Sequence, residues 1–167
     1  MSRSHPLLKR HLRLLMNLWP PFLGAGIRVK RIQPDFQEID VEMKLRRWNS
    51  NYVGTPYGGS LYSMADPFFM LMLIENLGSD YIVWDKSASI RFKRPGTGKV
   101  SARFRLSQQQ VEEIRQALQT SDKIEPTFLV EVRDESGKVI AEVEKLLHIR
   151  RKQRTFTQSA GTQRPPL

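Results

Sequence analysis

The stretch NYVGTPYGGSLYSMAD, residues 51–66, decides how the rest of the sequence is interpreted. It ends on Asp66 and leads into a second run, residues 60–77, with which it overlaps. A helix over residues 60–77 would have almost no polar face. A helix that is apolar nearly all round must be buried, and Gly78 is a suitable residue to end it. Pro67 interrupts the hydrogen bonding of such a helix. The sequence therefore predicts one long central helix with a kink near Asp66.

Apolar and polar residues alternate with a period of two in several segments around this helix, which is typical of half-buried strands. The segments are 27–32, 39–46, 88–93, 100–106, 128–132 and 139–149. A further helix is predicted over 109–121, and tight turns at 95–98 and 134–137 imply antiparallel pairing. We therefore predict an α+β fold with a curved antiparallel sheet wrapped around the long apolar helix. The apolar surface that remains is expected to need a second subunit.

The two ends of the chain differ from this middle part. Residues 1–31 carry seven basic and no acidic groups, residues 145–167 carry six and none, and residues 32–144 have a net charge of −3. We expect an N-terminal amphipathic helix and entry segment over 1–25, a folded domain over 26–150 and a basic disordered tail over 151–167. Because the middle is not basic, no nucleic-acid partner is expected. The protein is expected to be cytoplasmic, since no targeting segment is evident.

The N-terminal helix has two interpretations. One face collects apolar residues and the other collects basic ones; the apolar set is Leu8, Leu12, Leu15, Leu18 and Trp19. Packing of this face on the domain is favoured. The alternative is weak contact with a membrane surface.

Several classes of chemistry are excluded. The sequence has no cysteine, so thiolate metal sites and a cysteine nucleophile are ruled out. His5, His11 and His148 are spaced for neither a metal site nor a serine triad. The glycine-containing segments match neither the nucleophile-elbow nor the phosphate-loop pattern. We expect neither a metal nor a cofactor.

Residues 57–66 carry the remaining chemical signal. If a helix begins at Gly58 and Gly59, their free N–H groups lie at its positive end and can polarise a carbonyl. Asp66 then places a carboxyl group inside an apolar element, where it can act as a base for water or as a nucleophile. Two simpler interpretations stay open. The glycines could form only a turn, and Asp66 followed by Pro67 could be a helix N-cap.

The pattern Asn51-x-x-Gly54-x-x-Tyr57-Gly58-Gly59-x6-Asp66 resembles the signature of hot-dog-fold thioesterases of the phenylacetic-acid-pathway type. In that signature His-Gly-Gly precedes the Asp, which stands nine residues after the His, so Tyr57 replaces the His here. The segment 90–95 resembles the family's strand that ends in an aromatic residue and a proline. The sequence is most similar to an uncharacterised hot-dog subfamily that shares this Tyr-Gly-Gly variant, the entry segment 19–27 and the segment 84–86.

The resemblance implies a homodimer, with pairing into a tetramer left open, and a pocket at the subunit interface. It implies Asp66 as base or nucleophile, Gly58 and Gly59 amides that polarise a thioester carbonyl, and Asn51 as a positioning residue. Tyr57 puts the usual carbonyl contact of the His in doubt. Asp85 lies where relatives place a Ser or Thr near the attacking water, and we expect its side chain to face solvent instead.

The expected function is hydrolysis of an acyl-CoA or another acyl thioester. The alternatives are a non-catalytic module that binds acyl chains along the Met-rich helix, where Met64 lies, and a dimer that binds anionic partners through its basic ends. The basic face of a predicted hairpin either faces solvent or holds CoA phosphates; it comprises Arg91, Lys93, Arg103 and Arg105.

Overall fold

One antiparallel sheet and five helices make up the structure, a computed structural model that describes residues 6–152, with only the backbone for residues 6–10. The strands are β1 (Ile27–Ile32), β2 (Glu38–Lys44), β3 (Tyr81–Phe92), β4 (Lys99–Arg105), β5 (Lys123–Ile124), β6 (Thr127–Asp134) and β7 (Val139–Arg151). Their order is β1-β2-β4-β6-β7-β3, and β5 pairs with β7. The helices are α1 (Pro6–Leu18), α2 (Pro20–Ala25), α3 (Gly58–Ser63), α4 (Phe68–Leu77) and α5 (Gln108–Thr120).

Helix α4 packs its aromatic and methionine side chains against the inner face of the sheet. Phe68 and Phe69 contact the ring of Phe104 on β4 at centroid distances of 4.8 and 5.3 Å, and Phe69 stacks on Phe128 of β6 at 4.9 Å. Such ring pairs add stability beyond the apolar area that they bury. The predicted architecture, a curved antiparallel sheet around an apolar helix, is confirmed.

The long central helix is divided in two. Helix α3 ends at Ser63, residues 64–67 form a turn, and α4 begins at Phe68. Pro67 has no backbone N–H, so the hydrogen-bond ladder cannot run through this position. The expected kink near Asp66 is therefore a complete break, and it leaves Asp66 at the junction of the two helices.

The two edge strands of the sheet differ in their hydrogen bonding. At the β1 edge, Asn17 of α1 accepts a hydrogen bond from the Val29 N–H at 2.7 Å and donates one to the Val29 carbonyl at 3.1 Å. At the other edge, the 12-residue strand β3 pairs only with β7 within residues 6–152. A long strand with one unpaired side is an open site for a further strand.

Helix α1 does not pack through the predicted apolar face. Met16 and Asn17 contact the domain, whereas Leu15, Leu18 and Trp19 are exposed; Leu12 is half-buried, and the side chain of Leu8 lies outside the described residues. The favoured interpretation, in which this face is buried on the domain, is therefore wrong for these three side chains. No helix in the described part of the chain is long and apolar enough to cross a membrane.

Two further expectations need correction. Strands β3 and β4 are not a hairpin, because the loop 93–98 carries the chain across to the other side of β6 and β7. Arg91 and Lys93 therefore lie far along the sheet from Arg103 and Arg105. Strand β7 continues to Arg151, which is one residue into the predicted tail; the part of the predicted tail beyond Lys152 lies outside the described residues.

Candidate functional site

The first turn of α3 presents two glycines beneath two aromatic rings. In the described part of the chain no group accepts a hydrogen bond from the Gly58 or Gly59 N–H, because these are the first two residues of the helix. A Cβ on Gly58 would lie 2.9 Å from the Phe92 ring, and a Cβ on Gly59 would overlap the Tyr57 ring. Phe92 is 58% exposed and Tyr57 61%. The absence of a Cβ thus lets the two rings approach closely, and the rings flank two free amides.

Asn51 organises the loop that leads into these glycines. Its Oδ1 accepts hydrogen bonds from the N–H groups of Val53 and Thr55 at 3.1 and 3.0 Å, and its Nδ2 donates to Thr55 Oγ1 at 2.8 Å. These contacts form an Asx-type turn. Asn51 therefore acts within its own loop in this structure and makes no side-chain contact with Asp66.

Asp66 is held by two donors at the break between α3 and α4. Its Oδ1 accepts a hydrogen bond from the Tyr62 hydroxyl at 2.9 Å and another from Lys145 Nζ at 2.7 Å. The side chain keeps 45% of its surface exposed. Helix α4 begins without a side-chain cap, so the interpretation of Asp66 as an N-cap is wrong. The carboxylate is oriented from one side and open on the other.

Asp85 points inward, toward the same lysine. Its Oδ1 lies 3.2 Å from Lys145 Nζ, and its side chain is only 24% exposed. Strand β3 has a bulge between Asp85 and Ser87, where these two residues pair with the adjacent residues Leu147 and Leu146 of β7. Bulges re-aim side chains in this way. The expectation that Asp85 faces solvent is therefore wrong.

Charges and burial shift the pKa values of three groups in this cluster. Burial raises the pKa of Asp85, and the nearby Asp66 adds to this, although Lys145 opposes it. Burial alone would lower the pKa of Lys145, but the hydrogen bond and charge of Asp66, with the charge of Asp85, outweigh burial and raise it. Burial, followed by the hydrogen bond to Asp66, raises the pKa of Tyr62. Lys145 is therefore an ammonium at neutral pH.

Sequence reasoning missed Lys145 and counted it with the basic C-terminal end. In the structure its side chain is completely buried, on the inner face of β7 between Val143 and Leu147. The period of two along this strand was the signal that could have placed it inward. The predicted contact residue Met64 is also completely buried in the core. The structure thus brings Asp66 and Asp85 together, and groups Tyr57 with the two glycines.

The predicted phosphate-binding group is not assembled. Lys93 contacts Glu142 at 2.9 Å, and Arg103 contacts Asp40 at 2.6 Å. Arg103 lines a concavity of about 810 Å³ on the outer face of β1, β2, β4 and β6, away from Asp66. Its cations are matched by carboxylates of the same face. Among the residues that the structure describes, no cluster of His, Cys, Asp or Glu could hold a metal ion.

Solved structures define the class of fold. The chain is similar to a protein of unknown function from Pseudomonas aeruginosa, PA5026, described as a probable thioesterase, with 23% identity, a TM-score of 0.75 and coverage of 90% of this chain and 100% of that one. It is also similar to the thioesterase HI1161 from Haemophilus influenzae, with 17% identity, a TM-score of 0.62 and coverage of 90% and 96%. The fold is the hot-dog fold, and its neighbours are thioesterase-like.

A third similarity and a family match complete the comparison. A mutant form of the phenylacetic acid degradation protein PaaI from Thermus thermophilus is 26% identical, with a TM-score of 0.53 and coverage of 79% of this chain and 99% of that one. No protein of curated function matches the sequence. The chain belongs to the family described as Domain of unknown function (DUF4442), which matches residues 9–149.

Proposed function

We propose that the protein hydrolyses acyl thioesters such as acyl-CoA, at a pocket formed between two copies of the chain. The observation that carries this proposal is the Asp66 carboxylate, oriented by two donors and half open, in a fold whose neighbours are thioesterase-like. The similarity to solved structures supports the class of activity, a thioesterase. The contacts of Asp66 support this residue as the reacting group.

The spacing within one copy favours a shared pocket. Gly58 begins α3 and Asp66 lies three residues beyond the end of α3 at Ser63; from Gly58 to Ser63 the helix rises about 7.5 Å at 1.5 Å per residue. A polarising donor and an attacking group must each lie within about 3–3.5 Å of the reacting carbonyl. The two groups thus lie at opposite ends of α3, which favours a site in which they come from different copies. The glycine amides of one subunit and the partner subunit's Asp66 can do so if the two copies pack with these segments facing each other.

The surface around the site supports such a dimer. Strand β3 offers an unpaired edge, and Ala88 at its centre is exposed although it lies on the inner face opposite Lys145. Three apolar residues of the adjoining helix α4 remain half-buried: Met70, Leu71 and Ile74. Pairing of two β3 edges would cover these residues and complete the burial that an apolar helix requires.

The proposed roles follow from the contacts. The Gly58 and Gly59 amides stabilise the negative charge that develops on the thioester oxygen. In one route Asp66 takes the proton from a water that attacks the carbonyl carbon, and the acid and the protonated thiol leave. In the other route Asp66 attacks the carbonyl carbon itself, the thiolate leaves and is protonated, and water then hydrolyses the acyl-Asp66 anhydride to release the acid. Tyr57 and Phe92 flank the acyl group, and Asn51 holds the loop that sets the position of Tyr57.

One observation favours the alternative, a non-catalytic acyl-binding module. Asp66 is already paired with the Lys145 ammonium at 2.7 Å and the Tyr62 hydroxyl at 2.9 Å, as a carboxylate with a structural role would be. An acyl-binding module would bind acyl-CoA with the same affinity in the wild type and in Asp66→Asn, and would release no thiol.

The test is thiol release from hexanoyl-, decanoyl-, palmitoyl- and phenylacetyl-CoA by the full chain, with the subunit count measured by light scattering. We expect a dimer that turns over at least one substrate, and a loss of about a hundredfold or more in Asp66→Asn. Asp122→Asn, which changes an exposed aspartate, is the matched control and should keep wild-type turnover. A folded wild type without turnover on all four would contradict the proposal.

A further inference from the structure

Lys145 occupies a position in β7 where a cation is costly. Its neighbours on the inner face, Val143 and Leu147, are fully buried apolar residues, and Lys145 itself has no exposed surface. In register it lies opposite Phe128 of β6 and Ala88 of β3. A buried ion pair is often no more stable than the apolar residues that would replace it. The fold alone therefore does not explain why a lysine stands here.

The Lys145 ammonium is contacted by two carboxylates, which differ in their distance to it and in their hydrogen bonding. Two carboxylates, Asp66 at 2.7 Å and Asp85 at 3.2 Å, share one cation, so the cluster has one excess negative charge. The Tyr62 ring lies 5.4 Å from Nζ. Asp66 Oδ1 accepts two hydrogen bonds, whereas the buried Asp85 Oδ1 accepts none with proper geometry within the described residues.

Exposure increases from the lysine outward. The ammonium is at the buried end, and the Asp66 carboxylate, 45% exposed, is at the open end. A pair that served only stability would be matched one to one and closed to solvent, because a charge left over in a buried place destabilises the fold. This cluster instead presents one oriented carboxylate to the surface and keeps a second behind it.

We propose that Lys145 is a positioning residue of the site, whose ammonium fixes Oδ1 of Asp66, leaves Oδ2 for the reaction, and couples Asp66 to Asp85 through one shared countercharge. The assignment rests on the proposed function for its catalytic consequence. The pairing of Lys145 with Asp66 and Asp85 is independent of any catalytic activity. The raised pKa values of Lys145 and Asp85 agree with an ammonium held between two carboxylates, with Tyr62 as the other titratable group that faces it.

The first experiment compares Lys145→Met and Lys145→Arg with wild type on the four acyl-CoA substrates. We expect kcat to fall by about tenfold to a hundredfold in Lys145→Met because the carboxylate is no longer held, while KM changes by less than about threefold. Lys145→Arg should recover part of kcat. Lys30→Met is the matched control, because it removes a lysine from an exposed pair with Glu42, 3.5 Å away and remote from the site.

The pH dependence separates positioning from support of the fold. Lys145→Met removes the cation that the two carboxylates share, and Asp85→Asn removes one of the two carboxylates, so these changes should move the acidic side of the kcat profile in opposite directions, to higher and to lower pH respectively. Asp85→Asn also serves if Lys145→Met does not fold, because it keeps the contact between Lys145 and Asp66. An unchanged profile in every folded variant, or unchanged kcat in Lys145→Met, would overturn the proposal.

A second measurement needs no turnover, so it separates failure of this inference from failure of the proposed function. The ammonium of Lys145 can be followed by ¹⁵N NMR in the full chain as pH rises. We expect it to remain more than half protonated at pH 10.5, the ordinary lysine value, and to lose its proton at lower pH in Asp66→Asn. If Lys145 is mostly neutral at pH 10.5 in the wild type, or unaffected by Asp66→Asn, the assignment is wrong whether or not thioesters are hydrolysed.

Discussion

Replacement of Lys145 by Met should destabilise the protein because a positive charge is lost, and not because the size of the side chain changes. Methionine fills nearly the same space, so the principal change is that Asp66 and Asp85 lose their common cation. Removal of one partner from a fully buried ion pair costs about 3–5 kcal/mol. The two carboxylates here keep 45% and 24% exposure, so water recovers part of that cost, and we expect a loss of about 2–3 kcal/mol.

Urea unfolding followed by tryptophan fluorescence measures this loss, since the chain has three tryptophans. With a urea dependence of about 1–3 kcal/mol per M, the unfolding midpoint should fall by about 0.7–3 M. All variants must be compared at one protein concentration, because subunit association would contribute to the apparent stability. Lys30→Met, which breaks an exposed pair, should cost less than about 1 kcal/mol.

A triple variant decides whether charge is the cause. When Asp66→Asn and Asp85→Asn are added to Lys145→Met, no charge is left in the cluster, and stability should return to within about 1 kcal/mol of wild type. If the triple variant is as unstable as Lys145→Met alone, the loss comes from packing. If Lys145→Met unfolds at the wild-type midpoint, the contacts at 2.7 and 3.2 Å contribute no electrostatic stability and the reasoning fails.

Three further predictions concern the same surfaces. The pKa of Asp85 is raised in the folded state, so protonation of Asp85 favours folding below pH 3.8, and this stabilisation is lost as pH rises through the folded-state pKa. Asp85→Asn should therefore raise the melting temperature at pH 7. An increase in melting temperature that persists below pH 3.8 would contradict this. Gly58→Ala should change the free energy of unfolding by less than about 1 kcal/mol, because alanine suits a helix start. Its Cβ would lie 2.9 Å from the Phe92 ring, so the ring should move and turnover should fall. A crystal structure of the variant with an unmoved ring would refute this. If the exposed face of α1 touches membranes, Leu14→Ser with Leu18→Ser should abolish co-sedimentation with anionic vesicles, and unchanged co-sedimentation would count against it.

Much of the fold could be predicted because its signals are local. The alternation in β2 and the continuous apolar run of α4 each follow from the sequence of one segment, and Pro67 marks the break between two helices. Helix α5 was also predicted from its own segment, and its three apolar residues are buried: Val111, Ile114 and Leu118. These features depend on neighbours a few residues away.

The errors came from contacts between distant segments. Strands β3 and β4 were assigned to one hairpin because they are consecutive and joined by a short loop, yet β6 and β7 lie between them. That single misplacement created the false group of four basic residues: Arg91, Lys93, Arg103 and Arg105. Likewise, Lys145 could be placed on the inner face from its strand pattern, but its partners depend on the pairing of β7 with β3 and on the position of Asp66.

Asp85 shows why a correct pattern can give a wrong orientation. Ala88 lies opposite Lys145 on the inner face, so strict alternation along β3 would turn Lys86 inward and Asp85 outward. The bulge at Lys86 inserts one residue, reverses the alternation and turns Asp85 toward Lys145. On the helical side, the break before Pro67 frees Asp66 from a continuous helix and places it against the same ammonium. Two interruptions of regular structure, far apart in sequence, thus direct one carboxylate each to a single buried lysine.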